Sequence, residues 1–196
     1  MFIALTGLHC SGKSYFSSNL PSSYNFSVYN KNKILDKLYD EYADKFIFLD
    51  SNSWYNYIYE LNPYSATAMI INEIYLSDNI ILDAVHSNLE WEIIKQIYPN
   101  AKLVEFVTPK EIRENRWISK YTIEEKDNKR INYWHNEKAD SKCLISEVDW
   151  AFNGSASLEF NYKCFEEMMC FYGNLKYEDS EYTKEEIKQK ILELGG

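Results

Sequence analysis

Glycine is scarce in this chain, with six residues in 196, and proline is scarcer still, with four. No Gly/Pro/Ser linker, internal repeat or low-complexity tract divides the sequence, so a single domain over residues 1–196 is expected. Long apolar runs are also missing, and none approaches the roughly 18–20 residues that cross a bilayer. Met1, Phe2 and Ile3 lack the basic start of a signal peptide, and a strand so near the N-terminus leaves no room for a cleavable leader. The expectation is a cytoplasmic protein with no membrane partner. Cations are outnumbered, 21 Lys and Arg against 30 Asp and Glu, for a formal net charge of −9. A phosphate-backbone footprint needs clustered cations, so a nucleic-acid partner is not expected. The four cysteines, Cys10, Cys143, Cys164 and Cys170, make no C-x-x-C pair and no Cys/His spacing suited to zinc. They read as reduced thiols, with Cys164 and Cys170 on a buried helix face.

Two of the six glycines stand five residues apart near the start, in Gly7-Leu8-His9-Cys10-Ser11-Gly12-Lys13-Ser14. This is the phosphate-loop (Walker A) pattern G-x-x-x-x-G-K-[ST], and its context is the one that gives it meaning: an apolar run at residues 2–6 before it and a helical pattern at residues 15–20 after it. Backbone N–H groups turned inward at a helix N-terminus form a positive concavity for the phosphates of a nucleotide. The nucleotide-binding set is therefore Gly7, His9, Cys10, Ser11, Gly12, Lys13 and Ser14. Lys13 is expected to bridge the β- and γ-phosphates, and the Ser14 hydroxyl to be a ligand of Mg²⁺. His9 reads mainly as a loop-shaping residue.

Further along, apolar segments alternate with helical patterns. Residues 26–29 suggest a second strand, after which Asn30 is placed to cap a helix to about residue 42. Residues 45–49 fit a short strand or a helix continuation. Residues 53–61 and 65–76 read as helices, separated by Asn62-Pro63. Residues 79–83 form a continuous apolar run ending in Asp83, the pattern of a strand buried on both faces. A helix at 88–98, a strand at 102–107 and a helix opened by Pro109 follow. Residues 148–154 read as a last strand and turn, and residues 158–171 and 184–194 as helices. Strands separated by helices imply an α/β fold with a parallel sheet and a ligand at the strand C-termini.

Asp83 is the second informative position. A carboxylate ending a buried strand beside a phosphate loop is what a Walker B element requires to order Mg²⁺ or its water. With a hydroxyl acceptor it can also take the proton; with a phosphate acceptor it acts only electrostatically. His86 and Ser87 begin the loop at the same strand end and are candidates for acceptor binding, His86 being equally readable as a capping or packing residue. Arg113 and Arg116 lie three apart on one helical face, suited to the charge that phosphoryl transfer spreads over equatorial oxygens, or to pairing with Glu111 and Glu114 on an exposed face. Residues 117–138, polar and charged, are a candidate lid or a solvated face. Lys33, after the second strand, is placed to hold an acceptor phosphate or to be a surface lysine.

Taken together, residues 7–14, Ile80-Ile81-Leu82-Asp83-Ala84-Val85-His86-Ser87, the arginine pair, and Asp149-Trp150-Ala151-Phe152-Asn153-Gly154-Ser155 resemble the nucleoside-monophosphate-kinase group of P-loop proteins. The likeness is greatest to dephospho-CoA-kinase-like members and relatives of unassigned substrate. It implies a three-layer P-loop NTPase fold with a five-stranded parallel sheet and a helical lid, ATP with Mg²⁺ as cofactors, and a small, nucleotide-like phosphate acceptor. The catalytic residues it implies are Lys13, Asp83, Arg113 and Arg116, and Asn153 falls near the nucleotide base. Ala84 stands where the group usually has Gly, and His86 where many members have Arg. Two other readings stand beside a small-molecule kinase: a nucleotide-binding NTPase switch, and a kinase acting on a nucleic-acid base or end.

Overall fold

The computed structural model describes residues 1–44, 47–120, 143–173 and 182–195. Five parallel strands form one sheet: β1 (Phe2–Thr6), β2 (Ser27–Asn30), β3 (Ile80–Asp83), β4 (Lys102–Val107) and β5 (Trp150–Asn153), in the spatial order β2-β3-β1-β4-β5. The helices are α1 (Lys13–Ser18), α2 (Lys31–Tyr42), α3 (Ser51–Leu61), α4 (Pro63–Asn72), α5 (Asn88–Ile97), α6 (Lys110–Lys120), α7 (Leu158–Gly173) and α8 (Lys184–Gly195). This is the expected α/β architecture.

Strand alternation sorts the core into two layers. Phe2 and Ala4 of β1, Ile80 and Leu82 of β3, and Leu103 of β4 face α2, α3, α4, α5 and α8. Ile3 and Leu5, Ile81, Val104 and Phe106 face the opposite way, onto Phe16 of α1 and Phe165 and Met168 of α7. Both faces are apolar because helices cover both, which is why β1 and β3 read as unbroken hydrophobic runs. Phe16 sits with its ring 5.3 Å from Phe106, 5.5 Å from Phe152 and 5.8 Å from Phe165. That aromatic cluster pins the start of α1, and with it the loop that α1 terminates, against the sheet.

The topology also decides where a ligand goes. The chain leaves β1 through α1 on one face and leaves β3 through α5 on the other. Adjacent strands whose connections depart in opposite directions open a crevice at their C-terminal ends. Register places Leu5 opposite Asp83, and Asn30 opposite Asp83 on the far side.

Several local expectations are corrected. Residues 47–49 form a turn and bend rather than a strand or helix, since Ile47 N–H bonds back to Asp44 and Leu49 is exposed. α4 begins at Pro63, capped by the Asn62 side chain, and ends at Asn72, with residues 73–76 in turns. Cys170 is exposed and Cys164 half-buried, so the two do not share a buried face. Of the candidate lid, residues 117–120 continue α6, and residues 121–138 lie outside the described residues.

Candidate active site

The loop between β1 and α1 turns through three left-handed residues: Gly7 (φ 129°), Cys10 (φ 59°) and Gly12 (φ 106°). Gly7 is required twice over, because a Cβ there would also stand 2.7 Å from the Phe106 carbonyl. Ser11 N–H closes a turn onto the Leu8 carbonyl at 3.1 Å, and Phe16 N–H takes Gly12 O at 2.9 Å as the first helical bond. The first N–H groups of α1 are left without helical partners, as at every helix start. Ser14 is exposed there, on the first turn.

Lys13 is buried, and its ammonium folds back onto the loop, 3.0 Å from Gly7 O and 3.4 Å from Leu8 O. Burial lowers its pKa, while the Asp83 carboxylate works in the opposite direction. Two carbonyl oxygens and the nearby Asp83 carboxylate hold this ammonium at the loop, where it can exchange the carbonyls for an anion.

Asp83 is buried, and its Oδ2 accepts a 3.4 Å bond from Asn30 Nδ2 while Oδ1 has no hydrogen-bond partner among the described residues. Two further buried oxygens are orphaned in the same way, Thr6 Oγ1 at the end of β1 and Ser11 Oγ in the loop. Buried polar atoms are nearly always satisfied, and these three cluster where β1 and β3 end and the loop begins. The Ser14 hydroxyl and the Asp83 carboxylate are a donor set that fits Mg²⁺ and its waters.

The expected arginines brace the loop from the other side. Arg116 donates to Cys10 O at 3.2 Å and to Gly154 O at 2.8 Å. Arg113 is buried and donates from Nε to Thr108 O at 3.2 Å. The Thr108 hydroxyl in turn bonds Ser11 O at 2.7 Å. Gly154 packs so tightly on this point that a Cβ would overlap the Ser11 carbonyl and the Thr108 hydroxyl. Thr108 and Gly154 were not legible as site residues, because their role arises from a contact between the β4–α6 and β5–α7 turns and the loop. Cys10, half-buried among these groups, has its pKa raised by burial, which outweighs Lys120, Lys13 and Arg116.

On the β2 side, Lys31 of α2 makes a buried ion pair with Glu90 of α5 at 2.6 Å and lies 4.9 Å over the Tyr55 ring. The second oxygen of Glu90 accepts His86 N–H at 3.2 Å, and Glu90 N–H bonds Ser87 Oγ at 3.1 Å. Glu90 therefore fixes the loop after Asp83 to the loop after β2. The Ser87-x-x-Glu90 spacing is a capping box and was the available signal for it. Ser87 is thus the N-cap of α5 and also pairs with the Tyr59 hydroxyl at 2.6 Å. His86 is open to solvent on one side and crowded by protein on the others. That burial, with the nearby Lys13 and Lys31 ammonium groups, pushes its pKa well below the ordinary histidine value. Lys33 is exposed on the first turn of α2, where Asn30 caps its N–H. Asn153 ends β5, and its Oδ1 is taken up within the turn by Ser155 N–H (3.0 Å) and Oγ (2.7 Å).

The overall fold recurs in solved structures. The chain's fold, a five-stranded parallel sheet flanked by helices, is shared with solved shikimate kinases. It is similar to shikimate kinase from Aquifex aeolicus, with a TM-score of 0.54 and 20% identity over 89% of this chain and 98% of the other. Shikimate kinase from Acinetobacter baumannii in complex with shikimate gives a TM-score of 0.55 and 12% identity over 89% and 94%. An unliganded sugar kinase from a Janibacter species gives 0.54 and 11% over 86% and 92%. No family model and no curated protein matches the sequence. Among the described residues, no helix is long and apolar enough to cross a membrane.

Proposed function

We propose that the protein is an ATP- and magnesium-dependent phosphotransferase that moves the γ-phosphoryl group to a small acceptor, a nucleotide, a nucleoside or a related molecule. The observation that carries this reading is the convergence at the β1/β3 crevice of loop N–H groups, the buried Lys13 ammonium and the orphaned oxygens of Thr6, Ser11 and Asp83. The kinase fold supports it, in that proteins sharing this architecture include enzymes named for shikimate and for a sugar.

On this reading, the N–H groups of residues 7–14 hold the β-phosphate. Lys13 exchanges the Gly7 and Leu8 carbonyls for β- and γ-phosphate oxygens, a charge-assisted pairing. Ser14 and Asp83 would hold Mg²⁺, which when bound neutralises phosphate charge and aligns the γ-phosphoryl group. Arg113 and Arg116 keep the loop in shape and would also oppose charge spreading over the equatorial oxygens. His86, Ser87 and Lys33 lie toward the acceptor. A hydroxyl acceptor loses its proton to Asp83 as its oxygen bonds to phosphorus and the β,γ-bridging bond breaks, releasing ADP.

The test is incubation with γ-labelled ATP, Mg²⁺ and a panel of nucleotides, nucleosides, dephospho-CoA, sugars and shikimate. Transfer of label to one class of acceptor supports the reading. Tight ATP binding with hydrolysis but no transfer to any acceptor contradicts it in favour of an NTPase.

A further inference from the structure

Two separate sets of contacts hold the two sides of the crevice. The phosphate loop is braced from the β4/β5 side by Thr108, Arg116 and Gly154. The segment that follows Asp83 is held from the β2 side and from α5, at three consecutive residues. Val85 N–H bonds Leu5 O at 2.9 Å, and His86 N–H bonds Glu90 Oε2 at 3.2 Å. Ser87 Oγ receives Glu90 N–H at 3.1 Å and pairs with the Tyr59 hydroxyl at 2.6 Å. Glu90 therefore takes part at two of the three. It is only 2% exposed, and its other oxygen accepts from Lys31 Nζ at 2.6 Å. Lys31 directly follows Asn30, whose side chain donates to Asp83 Oδ2 at 3.4 Å, so consecutive residues at the start of α2 reach the end of β3 and the first turn of α5.

Capping a helix does not by itself require this arrangement. In a capping box the third helical residue returns to the N–H of the N-cap, which here is Ser87. The Glu90 carboxylate reaches one residue further back, to the loop N–H of His86. Two donors thus converge on Glu90, one for each oxygen: the Lys31 ammonium and the His86 N–H. Glutamine has one oxygen for the two of them and would turn its own N–H groups toward the other.

We infer that Glu90 is a positioning residue for phosphoryl transfer: by accepting the His86 N–H, with Lys31 fixing its other oxygen, it holds the loop after Asp83 in the shape that receives the acceptor. This rests on the kinase reading above, in which that loop faces the acceptor, and deepens it. Misplacing the loop by about 1 Å costs transfer on the order of 10²-fold. The phosphate loop has its own braces and keeps its hold on Mg-ATP.

The experiment compares two double variants of the full chain, Lys31→Met/Glu90→Gln and Lys31→Met/Glu90→Met. Both remove the two buried charges together, a change that buried ion pairs often tolerate. The first leaves an amide oxygen free to accept the His86 N–H, and the second leaves none. Each is assayed with Mg-ATP and whichever of adenosine, AMP, thymidine, thymidine monophosphate, ribose and shikimate the wild type uses best. The expected result is a kcat/KM for the acceptor roughly 10²-fold higher in the Gln variant than in the Met variant, with the same Kd for Mg-ATP in both. Equal kcat/KM in the two, or loss of Mg-ATP affinity together with transfer in the Met variant, overturns the inference and leaves the kinase reading standing. No transfer to any acceptor by the wild type, with ATP bound, overturns both. Hydrogen exchange on the wild-type chain needs no variant: the His86 amide is expected to exchange about tenfold or more slowly than an unstructured amide. Exchange at the unstructured rate overturns the inference even if neither double variant folds.

Discussion

Arg116 reaches across from α6 to hold the Gly154 carbonyl at 2.8 Å, and with its other nitrogen the Cys10 carbonyl at 3.2 Å. One planar guanidinium thus ties the β5 turn to the phosphate loop. Lysine has the charge but a single nitrogen, and cannot span both carbonyls. Arg116→Lys is expected to lower kcat by roughly 10²-fold or more, the scale seen when a preorganised donor is lost. A steady-state assay with ATP and the best acceptor checks this, and near-wild-type kcat would remove the bridge from catalysis.

Gly154 is the partner of that bridge, and its role is steric. Any Cβ there meets the Ser11 carbonyl and the Thr108 hydroxyl, both held by a 2.7 Å bond to each other. Gly154→Ala should cost about 1–3 kcal/mol of stability, the range for overpacking a tight contact, and weaken ATP binding by distorting residues 10–12. Gly173→Ala is the control, since among the described residues nothing lies within 4 Å of a Cβ there. Chemical denaturation and ATP titration of the two variants separate the cases.

Lys13 carries the opposite prediction for stability and for binding. Burial lowers its pKa, so between that value and the ordinary lysine value the unfolded chain keeps a proton that the folded loop has released. Folding stability therefore rises with pH across that window. Lys13→Met removes the dependence and should leave the nucleotide-free Tm at or above wild type, while the Tm increase produced by Mg-ATP disappears. A Lys13→Met protein that still gains stability from Mg-ATP would take the ammonium out of the site.

The phosphate loop and the end of β3 could be read from the sequence because their signals are local: glycines at positions that need positive φ, and an apolar run closing on Asp83. The alternation of strands and helices likewise signalled a parallel sheet, though not the order of its strands. The bracing of Ser11 by Thr108 joins residues 97 apart, and the Lys31–Glu90 pair residues 59 apart, so neither leaves a contiguous pattern. Lys33 and Lys37 illustrate the point: the sequence offers three lysines at the start of α2, and only packing singles out Lys31 as the buried one.

Cys10 offers a chemical probe of occupancy. Its thiol is half-buried with a raised pKa, so at neutral pH it should react with iodoacetamide more slowly than the exposed Cys170. Bound Mg-ATP should slow Cys10 further and leave Cys170 unchanged, read by peptide mass spectrometry over time. Equal labelling of Cys10 with and without nucleotide would contradict its placement in the loop that holds the phosphates.

On the proposed reading, the β1/β3 crevice grips a nucleoside triphosphate through loop amides, Lys13 and a magnesium ion that Ser14 and Asp83 would hold. Isothermal titration of the wild-type chain with ATP, in Mg²⁺ and then in EDTA, tests it most directly. Saturable binding is expected in Mg²⁺, weakening at least tenfold in EDTA and lost in Lys13→Met. Absence of saturable heat with ATP or GTP in either condition would contradict it.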